Sequence, residues 1–417
     1  MSLRTKGLVL AMEEEGLEIE PTDSEEVSQT VAEVIEGADE VEENHDEIEE
    51  LDEAVDDAQG DAETLEKIQD VMEESVEKGE GLDETSAEIA EIAIESICAR
   101  LGIQKRVMPA MESFGSSNSR VVATKIALEG IKETLANIWK AIASAFQSMM
   151  NSIKAFFQKY LTALGQSKEA LAKLDSAVKA FDKTEKSSEE ITNAGLAKVF
   201  AIGNKADLGT VSTLIKNHID FNSQLLASGN AVKEVIKEAK GDVFAIDPEK
   251  LYTTSDDYIK AFKSEADLVD GVTINAVKEE GEGGIKGFVA KLKIGKKDAS
   301  ASTLPVLSKE EMGKLVGELK ILLGSAEKYD KTVSEFEHVN QSIINLAKSM
   351  QKSVEKLGKS EDVEENKKVQ ENSKAASASI NNLKSIFKTT LTTVPNLNVK
   401  ALKAGILYVN ASMKAYK

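Results

Sequence analysis

The residues of this chain best placed for chemistry are a tripeptide and its neighbour, Ala110-Met111-Glu112 followed by Ser113. A small residue, any residue and then a glutamate is a pattern that a processing protease can read, with hydrolysis after Glu112. The chemistry would then be done to the chain rather than by it. The same tripeptide occurs at Ala11-Met12-Glu13, a candidate second cleavage site, and Ala127-Leu128-Glu129 also fits but falls inside an expected helix. Three residues are a weak signature, so the surroundings decide. Pro109 stops helical continuation and biases Met108 toward extended backbone. "SFGSSNS", 113–119, then reads as a flexible, protease-accessible segment.

Nothing else points to a reaction. His45, His218 and His338 lie far apart in sequence without ligand-spaced neighbours, so no metal site is expected. "GEGGIKG" lacks the spacing of a phosphate-binding loop and sits where a hairpin turn is expected. No nucleophile-elbow or zinc-protease motif occurs, and no cofactor is implied. Cys98, the only cysteine, reads as a small apolar residue on the helical run "AEIAEIAIESICARL", and it excludes an intrachain disulfide. An enzyme is not expected.

The junction also divides the charge. Residues 1–112 hold 36 Asp and Glu against 7 Lys and Arg, a net of −29, whereas 113–417 hold 37 against 44, a net of +7. The overall −22 describes neither part. Such asymmetry implies different partners for the two segments. No secretory signal is read in "MSLRTKGLVLAMEEEG", and no apolar run reaches the ~18–20 residues of a membrane span.

These features must be positioned by helices. Residues 13–70 are dominated by carboxylates, with Val34, Ile35, Val41, Ile48, Leu51 and Val55 at helical spacing, which suggests nascent or partner-stabilised helix without a core of its own. A better helix is expected over 85–103. The strongest periodicity runs through Ile131, Leu135, Ile138, Ile142, Phe146, Met149, Ile153, Phe156, Tyr160 and Leu164, at steps of three and four. Gly165 allows a break before a second helix over 167–181, and shorter helices are expected at 189–202, 208–227 and 229–240. "DGVTINAVKEEGEGGIKGFVAKLKIG" alternates as two strands joined by a glycine turn. Helix returns at Ser308, where Glu311 three residues on suggests a capping box. Long helices over 325–357 and 364–391 and a last one after Pro395 complete the expectation.

The fold class expected is mainly α: an acidic, partly disordered N-terminal propeptide, then a helical bundle with a small α/β hairpin insertion. The divisions are 1–112 for the acidic segment, 113–240 for a helical region, 241–307 for the insertion and 308–417 for the C-terminal helices. The stripe on the long helix, with Trp139 widening it, is expected as a core face. Its lysine-flanked aromatics also permit membrane or partner contact through Ile131, Leu135, Ile138, Trp139, Ile142, Phe146, Ile153, Phe156 and Tyr160.

The Ala110-Met111-Glu112 junction resembles sites cut by prohead proteases of large tailed bacteriophages. The whole layout resembles an internal head protein of a large myovirus-type phage. That resemblance implies a structural protein made in the host cytoplasm and carried to the procapsid core by its acidic propeptide. It further implies cutting by the prohead protease, of which the chain is the substrate, and a final place inside the capsid with the genome, with or without ejection alongside it. The partners implied are that protease, the scaffold or capsid interior and, nonspecifically, genomic DNA. Two other readings stand beside it: a membrane-active amphipathic protein masked by its acidic segment, and an unprocessed cytosolic helical adaptor.

Overall fold

The computed structural model describes residues 25–102, 107–238, 266–280, 288–298, 300–329 and 389–417, with a few helical positions between 341 and 352. Ala11-Met12-Glu13, His338, the glycine turn at 281–287 and the expected helix over 364–391, up to residue 388, lie outside them.

The acidic segment builds one helix of 53 residues, α1 (Glu25–Glu77), about 80 Å long at 1.5 Å per residue. Val27, Val34, Val41, Ile48, Val55 and Ala62 fall seven apart and are all buried. A seven-residue repeat keeps a seam against a partner helix, with Val31, Ala38, Ala58, Leu65 and Met72 buried beside it. The partner is α3 (Ser117–Ala180), 64 residues long. The two run antiparallel. Glu40 lies by Lys159 and Glu73 by Lys132, and the Leu82 N–H donates to Thr124 Oγ1 at 2.9 Å. Partner-stabilised helix is therefore the right description of 25–77, and the partner is in the same chain.

Between them α2 (Glu84–Arg100) starts on an Asp83 cap, whose Oδ1 accepts from Ser86 N at 2.7 Å, and ends with Arg100 paired to Asp61 of α1. The turn from α1 to α2 passes under the start of α3. Gly81 has φ +65°, and a Cβ there would come within 2.5 Å of the Arg120 carbonyl carbon. Gly81→Ala is expected to cost about 2–4 kcal/mol, from left-handed strain plus backbone overlap. Urea unfolding checks it; a loss below about 1 kcal/mol would show that the turn gives way freely.

The expected break at Gly165 is absent. A Cβ at Gly165 would meet nothing within 4 Å, and Ala170, Leu171, Leu174 and Val178 carry the apolar face onward, so α3 stays continuous. A single exposed glycine costs about 1 kcal/mol, less than the packing gains. The last third of α3 keeps α1 beside it, with Gly37 against Ala163 and Gln166, and adds further partners, α6 (Lys309–Ala326) and α7 (Val394–Lys414). Tyr160 Oη donates to the Ala326 carbonyl at 3.0 Å, and Asp175 holds Lys320 at 2.7 Å.

Other departures from the expected helices are local. The expected helix over 189–202 opens instead as strand β1 (Glu190–Thr192), and only α4 (Ala194–Val199) is helical, capped by Asn193. Helices 208–227 and 229–240 are one, α5 (Leu208–Glu238). Pro395 sits in the first turn of α7 rather than before it, where a fixed φ suits the helix start. At the start of the helix expected over 325–357, α6 ends at Ala326 and a 3-10 turn follows at Glu327–Tyr329; most of the remainder of that stretch lies outside the described residues. The Ser308–Glu311 capping box is present, with both reciprocal bonds made.

The insertion holds a three-stranded antiparallel sheet: β2 (Ala266–Asp267), β3 (Val272–Glu280) and β4 (Phe288–Lys296), in the order β2-β3-β4. Register runs from Val272 opposite Lys296 to Glu280 opposite Phe288. β5 (Thr303–Pro305) pairs antiparallel with β1, Ile191 opposite Leu304, and ties the chain after the insertion to the body. One apolar core runs through all of this, from Val27 on α1 to Tyr416 after α7.

Candidate processing site and its acidic cover

The junction is folded, and its anchor is Phe114. Ala110 is extended at φ −62°, ψ 141°, and Met111–Phe114 close a 3-10 turn in which Ser113 N donates to the Ala110 carbonyl at 2.9 Å. Phe114 is wholly buried, and Arg120 Nε donates to its carbonyl at 2.7 Å. Upstream, Met108 is buried and Val107 lies on α3 at Gly130, where a Cβ would come within 2.7 Å of Val107 Cγ1. Ala110 and Glu112 face solvent.

The side chains of the expected recognition pattern are thus presented, while the Glu112–Ser113 bond is held in a turn. Proteases commonly take extended substrate, so a cut there would require the turn to open. The segment 113–119 is correspondingly less loose than its composition suggests. Ser113 and Phe114 belong to the 3-10 turn, and Ser117 to Ser119 already form the first turn of α3. Ala127-Leu128-Glu129 lies within α3 with Ala127 and Leu128 buried.

The residues of the amphipathic stripe, Ile131, Leu135, Ile138, Trp139, Ile142, Phe146, Ile153, Phe156 and Tyr160, are all buried. They form a core face, and α1 is the acidic helix laid along it. Its grip is electrostatic at the edges. Asp39 holds Lys403 at 2.6 Å and Glu42 holds Lys400 at 2.8 Å, both on α7, while Glu40 and Glu73 reach Lys159 and Lys132 on α3 at 3.9 and 3.8 Å. Beneath, the seam is less apolar than a stable coiled coil needs. Asp52, Gln59 and Glu66, again seven apart, are buried on α1, and neither amide atom of Gln59 has a hydrogen-bond partner. The Trp139 indole N–H is likewise buried without one.

A second polar group lies deep between α5, α6, α7 and the insertion. The Val269 N–H donates to His218 Nε2 at 3.2 Å, so the ring proton is on Nδ1, which faces Asn398 Oδ1 at 3.0 Å. Asn222 Nδ2 donates to Ser325 Oγ and to Asn398 Oδ1, and Asn398 Nδ2 returns a bond to Asn222 Oδ1. No spacing in the sequence links 218, 222, 325 and 398.

Burial pushes the His218 imidazole down to about 4 from 6.5. The unfolded chain therefore binds a proton between pH 6.5 and 4 that the folded chain refuses. This stability is complete above pH 6.5 and lost as pH falls through 4. The expected loss is about 3 kcal/mol between roughly pH 7.5 and 4. His218→Gln should flatten that slope in denaturant titrations at several pH values, and an unchanged slope would mean that His218 titrates normally.

Elsewhere the chemistry-bearing residues are quiet. His45 lies against Asp46 and Glu49 at 3.8 and 3.6 Å on α1. Cys98 is buried, and desolvation raises its thiol pKa. Among the described residues no group of three or more His, Cys, Asp or Glu is placed to hold a metal. No described helix is long and apolar enough to cross a membrane. The tripeptide and the stripe are visible in the sequence. Phe114, Arg120 and Val107, the groups that hold the junction, are not, and neither is the role of the lysines that hold α1.

A family model described as phiKZ-like phage internal head proteins matches residues 38–417. The match takes in most of the acidic helix as well as everything after the junction. No curated protein and no solved structure matches the chain.

Proposed function

Since the chain belongs to the phiKZ-like phage internal head proteins, a structural family of the capsid interior, we propose that it is a precursor carried into the procapsid core by its acidic segment and cut after Glu112 during maturation. The observation that carries this reading is the coincidence of three features at one place. The tripeptide ends at residue 112, the charge changes from −29 to +7 there, and the solvent-facing turn between α2 and α3 lies there. Before DNA enters, a strongly acidic segment can associate with basic scaffold or shell surfaces. Once DNA fills the head, that segment is repelled, and a +7 remainder is not. The C-terminal part would stay with the genome, and could leave with it.

The protease acts on this chain as substrate, and the chain supplies no catalytic group. An unprocessed cytosolic adaptor does not fit a family of internal head proteins. The membrane reading keeps one supporting observation, the aromatic face under α1. Flotation of the chain with anionic vesicles, intact and cut at the junction, tests it; no binding in either form removes it. Targeting is tested by fusing residues 1–112 to a passive reporter during infection. The reporter should co-purify with procapsids, and a reporter left wholly in the cytoplasm would overturn the targeting role.

A further inference from the structure

We propose that a cut at Glu112–Ser113 nicks the protein without stripping it. The acidic N-terminal piece stays seated along α3 and α7, on a lysine-edged surface for which DNA competes. The cut itself rests on the proposed processing; the fate of the two pieces rests on the packing of α1.

The bond in question lies in an exposed turn beyond the end of α2. Breaking it removes none of the contacts that hold α1. The buried seam from Val27 to Met72 belongs to the same core as α3, α6 and α7. Severing the link therefore turns a folding contact into an interface between two pieces, seated along most of α1's ~80 Å. Loss of the covalent tie alone gives no reason for it to separate.

The same contact is built to be exchanged. Buried Asp52, Gln59 and Glu66 take seam positions where apolar residues would hold more tightly, and the Gln59 amide is unsatisfied. The edges are held by charge: Asp39, Glu40, Glu42 and Glu73 on Lys403, Lys159, Lys400 and Lys132. A rod presenting carboxylates along its length to a line of lysines offers the chemistry that a phosphate backbone repeats. Lys403 and Lys132 are only 14% and 12% exposed with α1 in place. A nucleic acid reaches them only as α1 leaves, and α1 is repelled by the same nucleic acid. Because the occupant seen in the groove is a charged rod, the chemistry favours DNA over a bilayer.

The test uses the full chain with a recognition sequence for a sequence-specific protease inserted between Glu112 and Ser113. A second insertion, between Gly115 and Ser116, serves if circular dichroism shows the first to have lost helix. After complete cutting, both pieces should co-elute in gel filtration at the position of the uncut protein. Excess double-stranded DNA should then release the acidic piece and carry the C-terminal piece with it, less so as salt rises. Changing Lys132, Lys159, Lys400 and Lys403 to Gln should lower the yield of DNA-bound C-terminal piece by about tenfold or more. Pieces that part on cutting, before DNA is added, overturn the proposal. So do pieces that stay together in saturating DNA, or that are released by anionic vesicles and not by DNA. Absence of a Ser113 N-terminus in virions would sink the processing reading and leave this result standing.

Discussion

Phage carrying Glu112→Gln should assemble heads in which this chain is still joined through residues 107–120. The side chain of Glu112 faces solvent, and only its backbone carbonyl takes part in the turn, accepting from Gly115 N at 3.3 Å. The amide is nearly isosteric, so folding is left alone and the charge is what changes. A protease pocket built for a carboxylate loses a charge-assisted partner, which slows cutting by roughly a hundredfold or more. Ala110→Trp should slow it through bulk. Phe114→Ala should act in the opposite direction, because deleting the buried ring weakens the anchor that keeps the scissile bond in its turn. Peptide mapping of purified heads reads all three. If chains carrying Glu112→Gln still end up with Ser113 at the N-terminus, the junction is a linker and not a cleavage site.

Asn398→Leu should destabilise the protein by about 3–5 kcal/mol, among the largest effects of any single change in the C-terminal half. The volume is nearly conserved, so the loss is polar. His218 Nδ1–H loses its acceptor, and Asn222 loses both bonds it exchanges with Asn398. Each buried group left without a partner costs about 1–3 kcal/mol. The network spans α5, α6, α7 and the turn before β3, so the change loosens the attachment of the insertion as well. Denaturant unfolding measures it, and pairing with Asn222→Leu should give strong non-additivity, since both changes remove the same bonds. A loss under about 1 kcal/mol with simple additivity would mean that the four groups do not act as a network.

Different parts of this molecule are legible in its sequence to different degrees, for identifiable reasons. The stripe from Ile131 to Leu164 can be read because its steps of three and four survive for turn after turn. Gly165 misleads because glycine weakens helix locally, whereas the apolar face resumes at Leu171 and Leu174 and decides the matter. The acidic segment looks too charged to order itself, and alone it would be. Its column at Val27, Val34, Val41, Ile48 and Val55 needs a partner helix, which neither local composition nor charge reveals. β1 is three residues long and exists through its pairing with β5, far along the chain. The junction shows the same division. Ala110-Met111-Glu112 and the charge boundary stand in the sequence, while the hold of Phe114 and Arg120 on the Glu112–Ser113 turn depends on how α3 begins. The lysines under α1 look like ordinary surface lysines until a helix from the far end of the chain is laid across them.

Cutting where the charge changes sign would leave a new N-terminus at Ser113. The most direct measurement is the N-terminal residue of this protein in purified, DNA-filled heads, determined by mass spectrometry after chemical blocking of free amines. The expected result is Ser113 on essentially every copy, with any peptides from 25–112 present as a separate piece ending at Glu112. Peptides running unbroken from Val107 through Arg120, at the abundance of the rest of the chain, would contradict it.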